Sequence, residues 1–267
     1  MIDLIRKEVS KTASAEENIN RIREFLQVLM LKVMFDKGHL EPIAFTGGTA
    51  LRILHGLKRY SEDMDFSLVN KKGYDFARMQ ADLINELNKN NIKTEGARLK
   101  LDSTVNSCFI SFPELIPALA ISGYPKKNLK IKIEVDSNPP EGGKTAIVPV
   151  TDRFVIAVKT FDLPSLFATK LHACLFRRYT KGRDFYDLVW YLGKRVVPNL
   201  TLLNNAIQQT EKKDMGLTTL NYKSLIIDKI TGLDFKKVRE DVAVFLEDKA
   251  ELKLLDQELL LGMLKNI

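Results

Sequence analysis

Apolar and polar side chains alternate with a period of two from about residue 97 to 160, and then the alternation stops. Within that window "ARLKLDS", "SCFISF", "LKIKIEVD" and "FVIAVKTF" predict strands, separated by Pro, Gly and Asn clusters such as "SNPPEGGK". Beyond Pro164 the patterned segments take helical spacing. "PSLFATKLHACLFRRYT" has proline in its first turn, "GRDFYDLVWYLGKR" follows, and Pro198 interrupts. "DFKKVREDVAVFLEDKAELKLLDQELLLGML" reads as one long final helix. Upstream, Ser14 with Glu17 forms a capping-box pattern that opens a helix to about Phe35. "EPIAFT" is a short strand, Gly47-Gly48 a turn and "TALRILHGL" a helix. "DMDFSLV" is a strand and "YDFARMQADLINELNKNN" an amphipathic helix. A mixed α/β half followed by an all-helical half predicts an α+β protein with two domains, residues 1–162 and 163–267. No internal repeat is present.

Hydrophobic residues make up 45% of the 267 positions, enough for a proper core, and nothing in the composition marks disorder. Forty-one basic against 34 acidic residues leave a net charge of +7, which favours a polyanionic partner such as nucleic acid or nucleotide. Cys108 and Cys174 lie in apolar surroundings and read as reduced core thiols. His39, His55 and His172 lack metal-ligand spacing, which argues against zinc. The N-terminal segment lacks a signal-peptide layout, and Lys32 and Asp36 interrupt its apolar run. A soluble, cytoplasmic protein is expected.

The chemistry concentrates in "TGGTALRILHGLKRYSEDMDFSL". Side chains of a strand alternate faces, so Asp63 and Asp65 share one face while Met64 and Phe66 point into a core. Two adjacent carboxylates repel, and a hard divalent cation relieves that conflict. Gly47 and Gly48 allow close backbone approach, and the N–H groups entering the next helix near Thr49 suit an anion. In "LKIKIEVD", Lys132, Glu134 and Asp136 form the polar face; Glu134 or Asp136 could complete a metal triad, and Glu134 is favoured because Asp136 borders the loop. Such a triad suits in-line phosphoryl or nucleotidyl transfer. In the helical half, Lys170 lies in a mostly apolar helix with Arg177 seven residues on, and Arg183 and Asp187 are spaced to meet on one helix face. Each piece alone has a plainer reading: a solvated strand end, a tight turn, a half-exposed polar face, or a surface ion pair of under ~1 kcal/mol.

Taken in order, "FTGGTALRILHG…KRYSEDMDF", "KIEVD" and "LFATKLHACLFRR…KGRDFYDL", from about Ile43 to Leu192, resemble the AbiEii/AbiGii-type nucleotidyltransferases. These are toxin components of bacterial toxin–antitoxin and phage-defence systems and include the MenT toxins. The resemblance implies a DNA-polymerase-β-like core with a mixed sheet, followed by a helical bundle, with nucleotide held between the two. It implies that Gly47, Gly48 and Thr49 form the phosphate-facing turn, and that Asp63 and Asp65 bind Mg²⁺ or Mn²⁺, with a third acid for which Glu134 and Asp136 both offer themselves. Lys170 matches the lysine of the third motif. Arg183 and Asp187 match an Arg-x3-Asp motif, whose aspartate serves catalysis and whose arginine serves nucleotide binding. Where the superfamily often has Gly-Ser this chain has Gly-Gly, so Thr49 is expected to supply any hydroxyl contact. Residues after about 200 fall outside the resemblance.

The expected activity is transfer of an NMP from an NTP to an acceptor hydroxyl with release of pyrophosphate. The resemblance implies an RNA acceptor such as a tRNA end, and a separately encoded antitoxin as partner. The cationic stretches "YPKKNLKIK", "FRRYTKGR" and "DFKKVRED" fit a phosphate backbone. The rival readings are a protein or small-molecule acceptor, a non-catalytic nucleotide- or partner-binding module, and a metal-dependent phosphoesterase.

Overall fold

The computed structural model describes residues 1–97, 99–101, 103–121 and 128–265. The chain divides into two compact units. One comprises Met1–Gly56, Tyr60–Asn138 and Ile147–Thr160; the other comprises Leu57–Arg59, Pro139–Ala146 and the chain from Phe161 onward. In chain order the elements up to the end of the sheet are α1 (Ile2–Arg6), α2 (Ala15–Asp36), β1 (Ile43–Thr46), α3 (Gly47–His55), β2 (Met64–Leu68), α4 (Phe76–Lys89), β3 (Glu95–Gly96), β4 (Val105–Phe112), α5 (Leu115–Ala118), β5 (Leu129–Asp136), β6 (Thr145–Val150) and β7 (Ile156–Phe161). The strands form a seven-stranded mixed sheet in the order β3-β4-β5-β2-β1-β7-β6. β2 runs antiparallel to β1 and parallel to β5, and β5 runs antiparallel to β4.

Alternation decides which face of this sheet is dry. Met64 and Phe66 of β2, Ile131, Ile133 and Val135 of β5, and Cys108, Ile110 and Phe112 of β4 enter one core with the apolar stripes of α2 and α4. Each such fully buried side chain contributes roughly 1.5–3 kcal/mol. Ser14 caps α2 by accepting from the Glu17 N–H at 3.1 Å. Only half of the expected capping box is present, because the Glu17 carboxylate turns to Arg21 at 2.7 Å.

The second unit contains α6 (Leu163–Phe176), α7 (Gly182–Gly193), α8 (Leu200–Glu211), α9 (Tyr222–Thr231), α10 (Phe235–Val242) and α11 (Gln257–Lys265). Pro164 lies in the first turn of α6, and Asp162 caps that helix through the Ser165 N–H. α6 packs on α7 and α8, with Phe167 stacked on Tyr191 at 4.4 Å between ring centroids. The Pro139–Ala146 segment is tied to α8: Asn199 Nδ2 donates to the Gly142 carbonyl and Asn205 Nδ2 to that of Glu141.

Several expectations need correction. The single long final helix is instead α10, two short 3-10 turns and α11. Asp234, Asp248 and Asp256 each accept backbone N–H groups just inside a new turn, so they start helical segments where the pattern reads helix interior. "ARLKLDS" is not a continuous strand. Pairing there reduces to β3 and an isolated Lys100–Ser107 bridge, while Arg98 and Asp102 lie outside the described residues. Residues 124–127 of the cationic "YPKKNLKIK" stretch also lie outside them. β6 borders the sheet with Ile147 exposed and carries Pro149, so neither alternation nor burial announces it in the sequence. Among the described residues no helix is long and apolar enough to cross a membrane.

Candidate active site

β1 runs directly into α3, and the turn between them is Gly47 at φ +74°. Glycine is required there twice over. The left-handed backbone disfavours any side chain, and a Cβ on Gly47 would lie 2.3 Å from Oδ2 of Asp65. The Asp65 carboxylate therefore lies over the bare Cα at the N-terminus of α3, brought there by the Thr46–Asp65 register of β1 and β2. Gly48 and Thr49 are buried behind it. The Thr49 hydroxyl donates to the main-chain carbonyl of Asp63, so it ties α3 to the start of β2. The segment leading into Asp63 is held from α2, where Gln27 Nε2 donates to the carbonyls of Ser61 and Glu62, both at 3.1 Å.

On the next strand Glu134 is the register partner of Asp65, whereas Asp136 is level with Ser67. Asp136 instead accepts the Asn138 N–H at 2.9 Å, closing the turn after β5. One residue before Asp65–Glu134 in the same parallel register, Met64 faces Ile133; continued one step further, the register sets Asp63 level with Lys132. The Lys132 ammonium is 2.7 Å from Glu134 Oε1. Its hydrogen bond to Glu134, together with the negative field of Glu134, Asp63 and Asp65, outweighs burial and raises its pKa above the ordinary lysine value. The acids thus attract a cation within the protein itself. The donor set is all carboxylate oxygen, which suits a hard divalent ion. Among the described residues no three Asp, Glu, His or Cys side chains already hold the spacing of a formed metal site.

The helical unit carries a second ionic cluster. Lys170 on α6 bridges Asp184 Oδ1 and Asp187 Oδ2 on α7, both at 2.8 Å. Arg177 reaches the other oxygen of Asp184 at 2.6 Å. Arg59 grips Asp187 with two parallel bonds, Nε to Oδ1 and Nη2 to Oδ2, each 2.6 Å. Asp187 is fully buried and Arg59 nearly so. Burial alone would lower the Lys170 pKa, but Asp187 and then Asp184 raise it well above the ordinary lysine range. Burial would raise that of Asp184, yet Lys170, Arg177 and Arg59 hold it below the usual carboxylate value. The Arg183 guanidinium lies 4.1 Å from the centroid of the Phe245 ring.

Of the residues singled out in the sequence, Gly47, Gly48, Thr49, Asp63, Asp65 and Glu134 belong to the first unit, and Lys170, Arg183 and Asp187 to the second. Within the first, Gly47, Asp65 and Glu134 come together; within the second, Lys170 and Asp187 do. Three participants were missed. Arg59 stands inside the quoted "KRYSEDMDF", and Lys132 on the polar face of "LKIKIEVD", both in view but unassigned. Asp184 sits one residue after Arg183, outside the Arg-x3-Asp spacing that draws attention to Asp187.

The sequence profile of the family described as "Nucleotidyl transferase AbiEii toxin, Type IV TA system" matches residues 29–257. The chain belongs to the AbiEii nucleotidyltransferase toxin family. The AbiEii match runs past residue 200, into the last helices that the motif resemblance left out. Two solved Helicobacter pylori structures share the fold. JHP933 has 19% identity and a TM-score of 0.52, with 91% of each chain covered. A structure described as a candidate nucleotidyltransferase has 20% identity and a TM-score of 0.53, covering 91% of this chain and 94% of its own. No curated protein sequence matches the chain. Family and fold together make nucleotidyl transfer in a toxin–antitoxin setting the frame for the AbiEii site.

Proposed function

We propose that the chain transfers an NMP from an NTP to an acceptor hydroxyl, with RNA as acceptor and Mg²⁺ or Mn²⁺ as cofactor. The observation that carries this reading is the Asp65 carboxylate lying over Gly47, with Glu134 beside it in register. Asp63 and Asp65 would hold the cation, and the register favours Glu134 over Asp136 as the third acid. When bound, the cation would polarise the α-phosphate and offset charge on the departing pyrophosphate. The acceptor oxygen forms a bond to the α-phosphorus, the α–β bridging bond breaks, and the hydroxyl proton leaves to a carboxylate or to solvent. The first-turn N–H groups of α3, around Gly47 and Gly48, suit a phosphate. Thr49 supports this turn from behind, since its hydroxyl is already given to Asp63. Lys170, with Arg183, supplies positive charge for the polyphosphate, and Asp187 orients Lys170.

An RNA acceptor is favoured by the surplus of basic residues and by the segment between α6 and α7. There the exposed Tyr179 ring has Arg177 and Lys181 cations about it, at 6.0 and 5.6 Å. An exposed aromatic face among cations suits an unpaired base. A cognate antitoxin is the expected partner, from the family's toxin–antitoxin assignment.

The test is incubation with each α-labelled NTP, Mg²⁺ and total cellular RNA. Label on RNA with pyrophosphate release is expected, and Asp65→Ala should abolish both while the melting temperature stays near that of the wild type. Label on polypeptide would replace RNA by a protein acceptor. Tight NTP binding with no pyrophosphate from any acceptor would overturn the enzyme reading.

A further inference from the structure

Glu134 and Asp65 are register partners, yet among the described residues no three acidic or other ligating side chains hold the spacing of a formed metal site. The Glu134 side chain accounts for part of this. Its carboxylate is paired along its own strand, with the Lys132 ammonium 2.7 Å from Oε1. Two residues apart on β5, the pair shares one face of the sheet. Lys132 also lies beside Phe109, its register partner on β4, whose ring centroid is 5.9 Å from the ammonium. That gives Lys132 a second hold, independent of Glu134. The Lys132 and Glu134 side chains are 30% and 29% exposed. A pair this open is within reach of ions from solvent and is held only weakly. At equal distance a divalent ion attracts a carboxylate with twice the charge of an ammonium. The pair is therefore one that a divalent ion can open.

We infer that Lys132 is a positioning residue of the acidic site: it holds Glu134 until a divalent cation displaces its ammonium, so that metal loading is an exchange of one cation for another at this carboxylate. This rests on the functional reading above, which makes Glu134 a ligand. Once the pair opens, Lys132 keeps its contact with the Phe109 ring, and Glu134 is released at the strand position level with Asp65. An ordinary surface ion pair makes a different prediction, because its removal alters no ion affinity.

Mn²⁺ is the probe, titrated calorimetrically into the full chain, with melting temperatures with and without Mn²⁺ and transfer kinetics measured in parallel. Lys132→Met removes the competing charge and keeps the stem, so Mn²⁺ affinity should rise roughly fivefold or more. The rise in melting temperature on adding Mn²⁺ should grow with it. Lys132→Arg keeps a cation for Glu134 and should bind Mn²⁺ no more tightly than the wild type. In a Glu134→Gln background, Lys132→Met should bring little gain, because the contested carboxylate is gone. An equal gain in both backgrounds would mean that Lys132 acts on the ion through space, and it would reject the exchange. Wild-type Mn²⁺ affinity in Lys132→Met rejects it as well. If Lys132→Met does not fold, Lys132→Gln takes its place with the same expectations. The Lys132 pattern without nucleotide transfer removes the functional reading and leaves the exchange. Mn²⁺ binding and transfer without any effect of Lys132 do the reverse, and absence of Mn²⁺ binding from every variant rejects both.

Discussion

Gly47 and Gly56 adopt nearly the same left-handed backbone, φ +74° and +72°, at opposite ends of α3. They differ in what a methyl group would meet. At Gly56 there is nothing within 4 Å, whereas at Gly47 the Asp65 carboxylate stands in the way. Each alanine carries the strain of a left-handed L-residue, about 1–2 kcal/mol. Only Gly47→Ala must also displace the carboxylate that the proposed chemistry uses. Gly47→Ala should lose more stability in thermal melts than Gly56→Ala, and it should also lose roughly a hundredfold in NMP transfer where Gly56→Ala loses little. Equal activities would mean that the position of Asp65 is unimportant. The alternation around Met64 and Phe66 made this pair of acids legible from the chain alone, because one face had to be dry. Arg59 was not legible in that way. Its partner lies 128 residues away, and a buried arginine in a short connection leaves no periodic trace.

At the scale of elements, the join between α7 and α10 is set by another glycine. A Cβ on Gly182 would lie 2.1 Å from the Val238 main-chain carbonyl oxygen, and the Gly182 N–H donates to Asp241 at 2.7 Å. Backbone cannot yield as a side chain does, so Gly182→Ala must part the two helices. The expected cost is about 1–3 kcal/mol, with Asp184 and Asp187 on the same helix shifted with it. Gly193, at the other end of α7, would meet only the flexible tip of Met263 at 3.5 Å. Gly193→Ala should therefore be close to neutral, and urea titrations of the two variants give the comparison; similar midpoints would show that α7 does not depend on contact at Gly182. The sequence pattern located α2, α4, α6 and α7 because each has a long apolar stripe. It fused the last segments into one helix because capping aspartates at positions 234, 248 and 256 resemble ordinary solvent-facing residues on a helix. What distinguishes them is a local choice between side-chain and main-chain acceptors, which periodicity does not record.

Across the whole molecule, the change from period two to helical spacing near residue 160 carries most of the architecture. Leu57–Arg59 cluster with the helices yet are too few to show any period. What the period cannot convey is how charge is buried, and that governs response to acid. The neighbouring cations hold Asp184 below the usual carboxylate pKa against the opposing effect of burial. The unfolded chain therefore takes up the proton first as pH falls. The stabilisation is fully present above the unfolded value, roughly 3.9, and is lost as pH drops through the lower folded value. Protonating Asp184 would leave Lys170 and Arg177 short of a buried counter-charge, which is costly. The only tryptophan, Trp190, lies on α7 close to this cluster, so its fluorescence reports the helical unit. Urea midpoints followed by that signal should fall steeply from about pH 5 to pH 3 in the wild type. Asp184→Asn should begin lower at pH 7 and decline less over the same range, because its cluster no longer gains a proton on unfolding. Parallel declines in the two proteins would show that acid sensitivity arises elsewhere and that the cations do not hold Asp184 in its charged form.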